Sequence, residues 1–135
     1  MEQSFFSNLM LDFLNQNYPG FLPVKYFDDG SFECELKSPG GQFAMWIATC
    51  NSEITYGLES PDGMTDIHSH ISCYEMEDLP DCLSRLTKWI ESVKSNSTVI
   101  YLNDSKVWDW IGQDSLSERE LRKGKSYQKY YWKEP

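Results

Sequence analysis

The sequence lacks most of the features that mark an enzyme, a cofactor site or a phosphate-binding loop. Its 135 residues include only two histidines, no C-x-x-C pair, no G-x-S-x-G nucleophile motif and no G-x-G-x-x-G loop. Gly124-Lys125-Ser126 resembles the end of a phosphate loop, but Arg119 stands where that motif needs a glycine. We therefore expect no catalytic activity and no cofactor.

Long apolar runs are also missing. The longest one, residues 43–48, is far too short to cross a bilayer. The N-terminal residues show no basic stretch ahead of an apolar one, which argues against a signal peptide. We therefore expect a cytoplasmic protein with no membrane partner and with reduced, mostly buried thiols at Cys34, Cys50, Cys73 and Cys82.

Basic residues are scarce in most of the chain. Residues 1–118 hold six basic and 19 acidic side chains, whereas residues 119–133 hold six basic side chains and one acidic. An acidic body repels nucleic acid and anionic lipid, and it attracts a basic protein or a cation. The basic, tyrosine-rich end has the composition of a base-stacking segment, but the acidic remainder disfavours nucleic acid. The acidic surface also has a simpler explanation in solubility.

Aromatic residues are abundant, at 15% of the chain, and supply a core for a single domain over residues 1–135. Apolar residues recur at helical spacing between Phe5 and Leu14, which predicts an N-terminal helix. A second amphipathic helix is predicted to follow Asp78. Between the helices, alternation and turn residues predict strands at 21–27, 31–38, 42–50, 53–59 and 65–74.

The C-terminal third is less regular. The pattern predicts a strand at 98–102, a strand or loop at 103–116, a short helix at 117–123 and a terminal strand at 127–133. The terminal strand is expected to pair with the acidic sheet near Glu33 or Glu35. The predicted fold class is α+β: an antiparallel meander sheet of about five to seven strands, with both helices packed on one face.

The most suggestive motif is the strand Asp66-Ile67-His68-Ser69-His70. It resembles the D-x-H-x-H opening of metal-dependent amidohydrolases, in which two histidines on one strand bind a metal. That family needs further ligands from a barrel of about 200 residues or more, and this chain is too short. A small metal- or ligand-binding enzyme centred on Asp66, His68 and His70 stays open as an alternative. The other interpretation is two half-exposed histidines on a sheet face.

A second resemblance involves a longer part of the chain. The block Gly41–Glu59, which contains Glu53-Ile54-Thr55-Tyr56-Gly57, precedes His68-Ser69-His70 and an amphipathic helix. These residues resemble small bacterial proteins that are grouped as immunity proteins of polymorphic toxin systems. The resemblance covers residues 40–100, and it implies an α+β domain that neutralises a toxin by binding it.

The sequence is thus interpreted as a non-catalytic acidic domain that binds a basic protein. A structural domain that forms a homodimer through its sheet face is the other open alternative. The acids at the start of the second helix also have a structural explanation, because the helix dipole favours negative charge there. The candidate binding residues are Glu59, Asp62, Asp66, His68, His70, Glu75, Glu77, Trp108 and Trp110.

Overall fold

The computed structural model describes residues 1–64 and 66–135 and confirms the predicted α+β class. The α-helices are α1 (Gln3–Asn17), α2 (Leu79–Lys94) and α3 (Gln113–Lys123). The strands are β1 (Lys25–Tyr26), β2 (Phe32–Lys37), β3 (Ala44–Ala48), β4 (Glu53–Glu59), β5 (Asp66–Ser72), β6 (Thr98–Leu102), β7 (Trp108–Gly112) and β8 (Lys129–Tyr130). None of the helices in the described part of the chain is long and apolar enough to cross a membrane.

The first five strands form the predicted antiparallel meander, in the order β1-β2-β3-β4-β5. Alternation sets the two faces of this sheet, because successive side chains of a strand point to opposite sides. One face carries the buried apolar residues Phe32, Met45, Ile47, Ile54 and Leu58. This face packs into the main core with α1 and α2, as the sequence predicted.

Both helices are amphipathic because their apolar residues repeat every three to four positions. In α1 the buried side chains include Phe6, Met10 and Leu14, and the Glu2 carboxylate accepts hydrogen bonds from the first free N–H groups of the helix. In α2 the buried stripe consists of Cys82, Leu86, Ile90 and Val93. The two stripes meet the apolar face of the meander and leave its other face outside the main core.

The C-terminal strands form a second sheet, whereas the sequence interpretation placed all strands in one. Its order is β7-β6-β8, and both pairs are antiparallel. One face of this small sheet joins the main core through Ile100 and Trp108. The other face carries Val99 and Tyr101, which form a separate small cluster with Leu116 of α3. Strand β6, which is apolar on both faces, is therefore covered on both sides.

Three predicted boundaries are corrected by the structure. Only Lys25–Tyr26 of the predicted strand 21–27 is paired, because Phe21 still belongs to the short 3-10 helix Pro19–Phe21 and the pairing with β2 begins at Lys25. Helix α3 begins at Gln113, not at residue 117, and has Gly112 at its N-cap. Only Lys129–Tyr130 of the predicted terminal strand is a strand.

The predicted partner of that terminal strand is also wrong. Lys129 lies opposite Tyr101 of β6, not beside Glu33 or Glu35. Its amine donates to the Glu120 carboxylate at 2.6 Å. The basic end of the chain is thus neutralised in part by acids of the C-terminal region, which the strand pattern could not indicate.

Candidate functional site

The face of the meander that points away from α1 and α2 is called the open face. Its cross-strand register forms rows, since residues paired across antiparallel strands point to the same side. The central row runs Glu35, Trp46, Gly57 and His68 across β2 to β5. The neighbouring rows run Lys37, Ala44, Glu59 on one side and Glu33, Ala48, Thr55, His70 on the other.

Trp46 is the one large apolar side chain in these three rows, and small residues surround it. Ala44 and Ala48 precede and follow it on the same face of β3, and Gly57 lies opposite it on β4. A Cβ atom on Gly57 would lie 2.9 Å from two carbons of the Trp46 ring and 2.1 Å from the Ile67 carbonyl oxygen. The indole therefore covers Gly57 directly and lies in a depression of the sheet.

This depression continues into a groove of about 620 Å³ toward β1. Trp46, Leu22 and Pro23 line this groove, together with Met64 from the turn after β4. Met64 is 85% exposed. The volume falls within the range of about 300–1,000 Å³ that is typical of ligand sites.

The groove is acidic. The carboxylates of Glu33, Glu35 and Glu59 line it, against the single amine of Lys25. Among the described residues, none of these three carboxylates takes part in a side-chain hydrogen bond or ion pair. Unpaired carboxylates beside an aromatic ring make an environment that favours a cation.

His68 and His70 lie next to this groove on the same face, as the strand alternation predicted. Their rings are 5.2 Å apart in an edge-to-face arrangement, and the His68 ring is 6.0 Å from that of Trp46. The Nδ1 atom of His70 is 2.9 Å from the Thr55 hydroxyl and 3.1 Å from a carboxylate oxygen of Glu53. These contacts orient the His70 ring on the sheet while leaving its side chain about half exposed.

The metal-site alternative is not tested by these residues. Asp66 pairs with Glu59 in the strand register, but its side chain lies outside what the structure describes. Over the described residues, no group of three or more histidine, cysteine, aspartate or glutamate side chains is arranged to hold a metal. Because catalytic zinc uses three protein ligands as a rule, His68 and His70 would need a further one.

No family model, curated protein or solved structure matches this chain. The resemblance to immunity proteins therefore stays a prediction from short motifs. The function has to be inferred from the chemistry of the open face itself.

Other predicted site residues lie away from the open face. The Asp62 carboxylate closes the turn between β4 and β5, where it accepts hydrogen bonds from the Ser60 hydroxyl, the Met64 N–H and the Trp108 indole. These bonds, the one from Ser60 above all, hold the pKa of Asp62 below its usual value. The residue is exposed, but its carboxylate has a structural role in this turn.

Glu75 and Glu77 precede helix α2. Glu75 and Asp78 form a reciprocal capping box, in which each side chain accepts from the backbone N–H of the other. Glu77 lies in the same exposed turn. The structure therefore places these acids apart from the histidines and assigns Glu75 a capping role.

The expectation that Trp108 is an exposed contact residue is corrected, since its side chain is only 7% exposed. Trp110 is half-buried and stacks near Tyr56 and Trp89, at ring distances of 6.2 and 5.6 Å. Both tryptophans lie on the face of β7 that Ile100 shares, and this face packs on the main core. Strand alternation predicts that Trp108 and Trp110 share one face of β7, but it does not show whether that face is buried or exposed.

Sequence reasoning missed Trp46, Glu35 and the groove. The segment 42–50 was predicted as a strand, and apolar residues occupy both of its faces, so its pattern does not show which face is covered. The available signal was size: Ala44, Ala48 and Gly57 leave space around one large ring. The face that carries small residues and one tryptophan is the open one.

Proposed function

We propose that this chain is a non-catalytic protein-binding domain that neutralises a basic protein, as immunity proteins neutralise toxins, and that the open face is its contact surface. The acidic groove over Trp46 is the observation that carries this proposal. The sequence resemblance supplies the biological role, and the groove supplies the chemistry.

Charge supports a basic partner. The chain has a net charge of −9, and unpaired glutamates line the groove. Complementary charge speeds the encounter of two proteins and selects against wrong partners. A partner with a basic contact patch fits this surface, whereas nucleic acid and anionic membranes are repelled by it.

The Trp46 ring in the groove supports a specific contact in addition to attraction by charge. Tryptophan is enriched among the residues that dominate binding energies at protein interfaces. Trp46 is held in place by its contact with Gly57, so little side-chain freedom is lost when a partner covers the ring. A rigid ring with acids around it can therefore act as an anchor for a basic protein.

The test is capture of partners from a lysate of the native host with three tagged proteins. These are the wild type, the open-face variant Trp46→Ala/Glu35→Gln/Glu59→Gln, and the control Asp12→Asn/Glu118→Gln. The control removes two acidic charges from exposed positions of α1 and α3. We expect a basic protein that the wild type and the control retain, that the open-face variant loses, and that dissociates as salt rises.

The purified partner then decides the biological role. It should be toxic when expressed alone, and co-expression of the wild type but not of the open-face variant should restore growth. Equal retention by all three proteins, or binding that is indifferent to salt, would contradict the proposal.

Two further measurements on the same preparations test the alternatives. A dimer in static light scattering that the open-face variant abolishes would favour the homodimer interpretation. Stoichiometric zinc that is lost in His68→Ala/His70→Ala would favour the small metal site instead.

A further inference from the structure

We propose that the groove is a recognition site for one arginine side chain of the partner, with its guanidinium group stacked on Trp46 and bonded to Glu35 and Glu59. This inference rests on the proposed function, since it names the residue type through which the basic partner is held. It adds a ligand class and three contact residues to the general attraction by charge.

The register places the three groups around one point. Glu35 is the direct cross-strand neighbour of Trp46 on β2. Glu59 follows Gly57, the neighbour of Trp46 on β4, by two residues and so points to the same face. Two carboxylates on adjoining strands therefore flank the ring, and both line the groove.

A cation is the missing partner of this arrangement. In the described part of the chain, the carboxylates of Glu35 and Glu59 have no hydrogen-bonded or ionic partner, whereas those of other acids such as Asp104 and Glu120 are paired with lysines. The face of a tryptophan ring attracts cations more strongly than that of the other aromatic residues. The one amine that lines the groove, Lys25, lies over Phe27 at 5.4 Å from the ring centre and not over Trp46.

The shape favours arginine over lysine. A guanidinium group is planar, stacks on an aromatic face and donates paired hydrogen bonds to a carboxylate, which a point-like ammonium group does not. Its aliphatic stem would pack on the apolar residues that also line the groove, which include Leu22, Pro23 and Met64. The exposed Met64 gains a partner in this way.

The test is an NMR titration of the isotope-labelled protein that needs no natural partner. The probes are three peptides, acetyl-Gly-X-Gly-amide, in which X is arginine, lysine or the neutral isostere citrulline. We expect saturable shifts of the Trp46 indole N–H and the Glu35 amide at millimolar arginine peptide, weaker shifts with lysine and none with citrulline.

Variants separate a specific site from overall charge. Glu35→Gln and Glu59→Gln should each lower the affinity for the arginine peptide about tenfold, the usual effect of losing one charge-assisted hydrogen bond. Glu77→Gln removes the same charge from the start of α2 and should leave the affinity unchanged. Trp46→Ala should abolish the peptide-induced shift of the Glu35 amide. The amide spectrum of this variant reports whether its fold is intact.

Three results would overturn the inference: equal shifts with citrulline, equal weakening by Glu77→Gln, or an unshifted Trp46 indole. These failures are distinct from a failure of the proposed function. A basic partner that is lost with the open-face variant, together with a silent Trp46 in the peptide titration, removes only the arginine site. If the arginine peptide binds but no partner is captured, the arginine site is supported and the proposed neutralisation of a basic protein is not.

Discussion

At the scale of single residues, Gly57 determines the shape of the open face. Any side chain there would meet the Trp46 ring and the Ile67 carbonyl at distances that real Cβ atoms do not reach. The strand β5 or the indole must then move. We expect Gly57→Ala to lower the free energy of unfolding by about 2 kcal/mol, the usual cost of forcing a methyl group into a packed site. Urea denaturation measures this difference.

Gly112→Ser is the matched control for that substitution. Its Cβ would meet no atom closer than 3.9 Å, and serine suits the N-cap of α3. It should leave stability unchanged or raise it slightly. If Gly57→Ala unfolds at the same urea concentration as the wild type, the close contact with Trp46 is not a constraint.

Asp104 is the second residue with a definable stability effect. Its carboxylate accepts hydrogen bonds from the amines of Lys123 and Lys125 and from the Tyr127 hydroxyl. These bonds hold the pKa of Asp104 far below its ordinary value, and the bond from Lys123 has the largest effect. A lowered pKa in the folded state stabilises the protein above the unfolded pKa of about 4, and this effect is lost as the pH falls further.

Asp104→Asn should therefore melt at a lower temperature than the wild type at pH 7. The difference in melting temperature between the two proteins should become smaller as the pH falls below about 4, where the aspartate of the unfolded chain takes up a proton. Added salt should narrow it as well, because these groups are exposed. Asp12→Asn, an exposed position on α1, serves as the control. A gap that stays constant from pH 7 to pH 3 would exclude the ionic origin.

At the scale of elements, a capping box closes the 3-10 turn Met76–Asp78 that leads directly into α2. The Glu75 and Asp78 side chains satisfy N–H groups that this turn leaves free. We expect Glu75→Ala to lower the free energy of unfolding by about 1 kcal/mol, the typical cost of a lost cap. Glu77→Ala, in the same turn but not part of the capping box, should lower the free energy of unfolding by less. Urea denaturation followed by circular dichroism compares them, and equal stabilities would show that the cap contributes nothing.

The elements that could be predicted are those with one strict period. Helix α1 and strand β2 follow their sequence patterns closely, because each buries a single face against the same core. The segment 21–27 looked like a strand since its residues are apolar, but Phe21 is buried from a 3-10 turn and only two residues pair. Burial alone does not fix backbone conformation, so such segments are ambiguous in sequence.

The candidate site divides in the same way. His68 and His70 were predicted to share a face because strand alternation requires it. Trp46 was not among the predicted site residues, since a tryptophan among apolar residues does not show which face of its strand is covered. The face became clear only from the positions of α1 and α2, which are long-range contacts that no local pattern encodes.

At the scale of the whole molecule, the two sheets are joined by a few large side chains. Trp132, which is 6% exposed, packs edge-to-face on Phe43 at 5.7 Å. Phe43 directly precedes β3, the strand that carries Trp46. The adjacent Lys133 is tied through its backbone to the Asn96 side chain, in the turn between α2 and β6. The C-terminal end thus connects the small sheet to the strand under the groove.

Trp132→Ala should therefore be among the most destabilising single substitutions. Truncation of a buried tryptophan costs about 3 to 5 kcal/mol. Lys133→Ala is the matched control, because its side chain is exposed and its backbone bonds persist. Urea unfolding followed by tryptophan fluorescence and circular dichroism distinguishes two outcomes. One shared, shifted transition means that both sheets unfold as a single cooperative domain. Two separate transitions would mean that the small sheet unfolds by itself and that the open face does not depend on it.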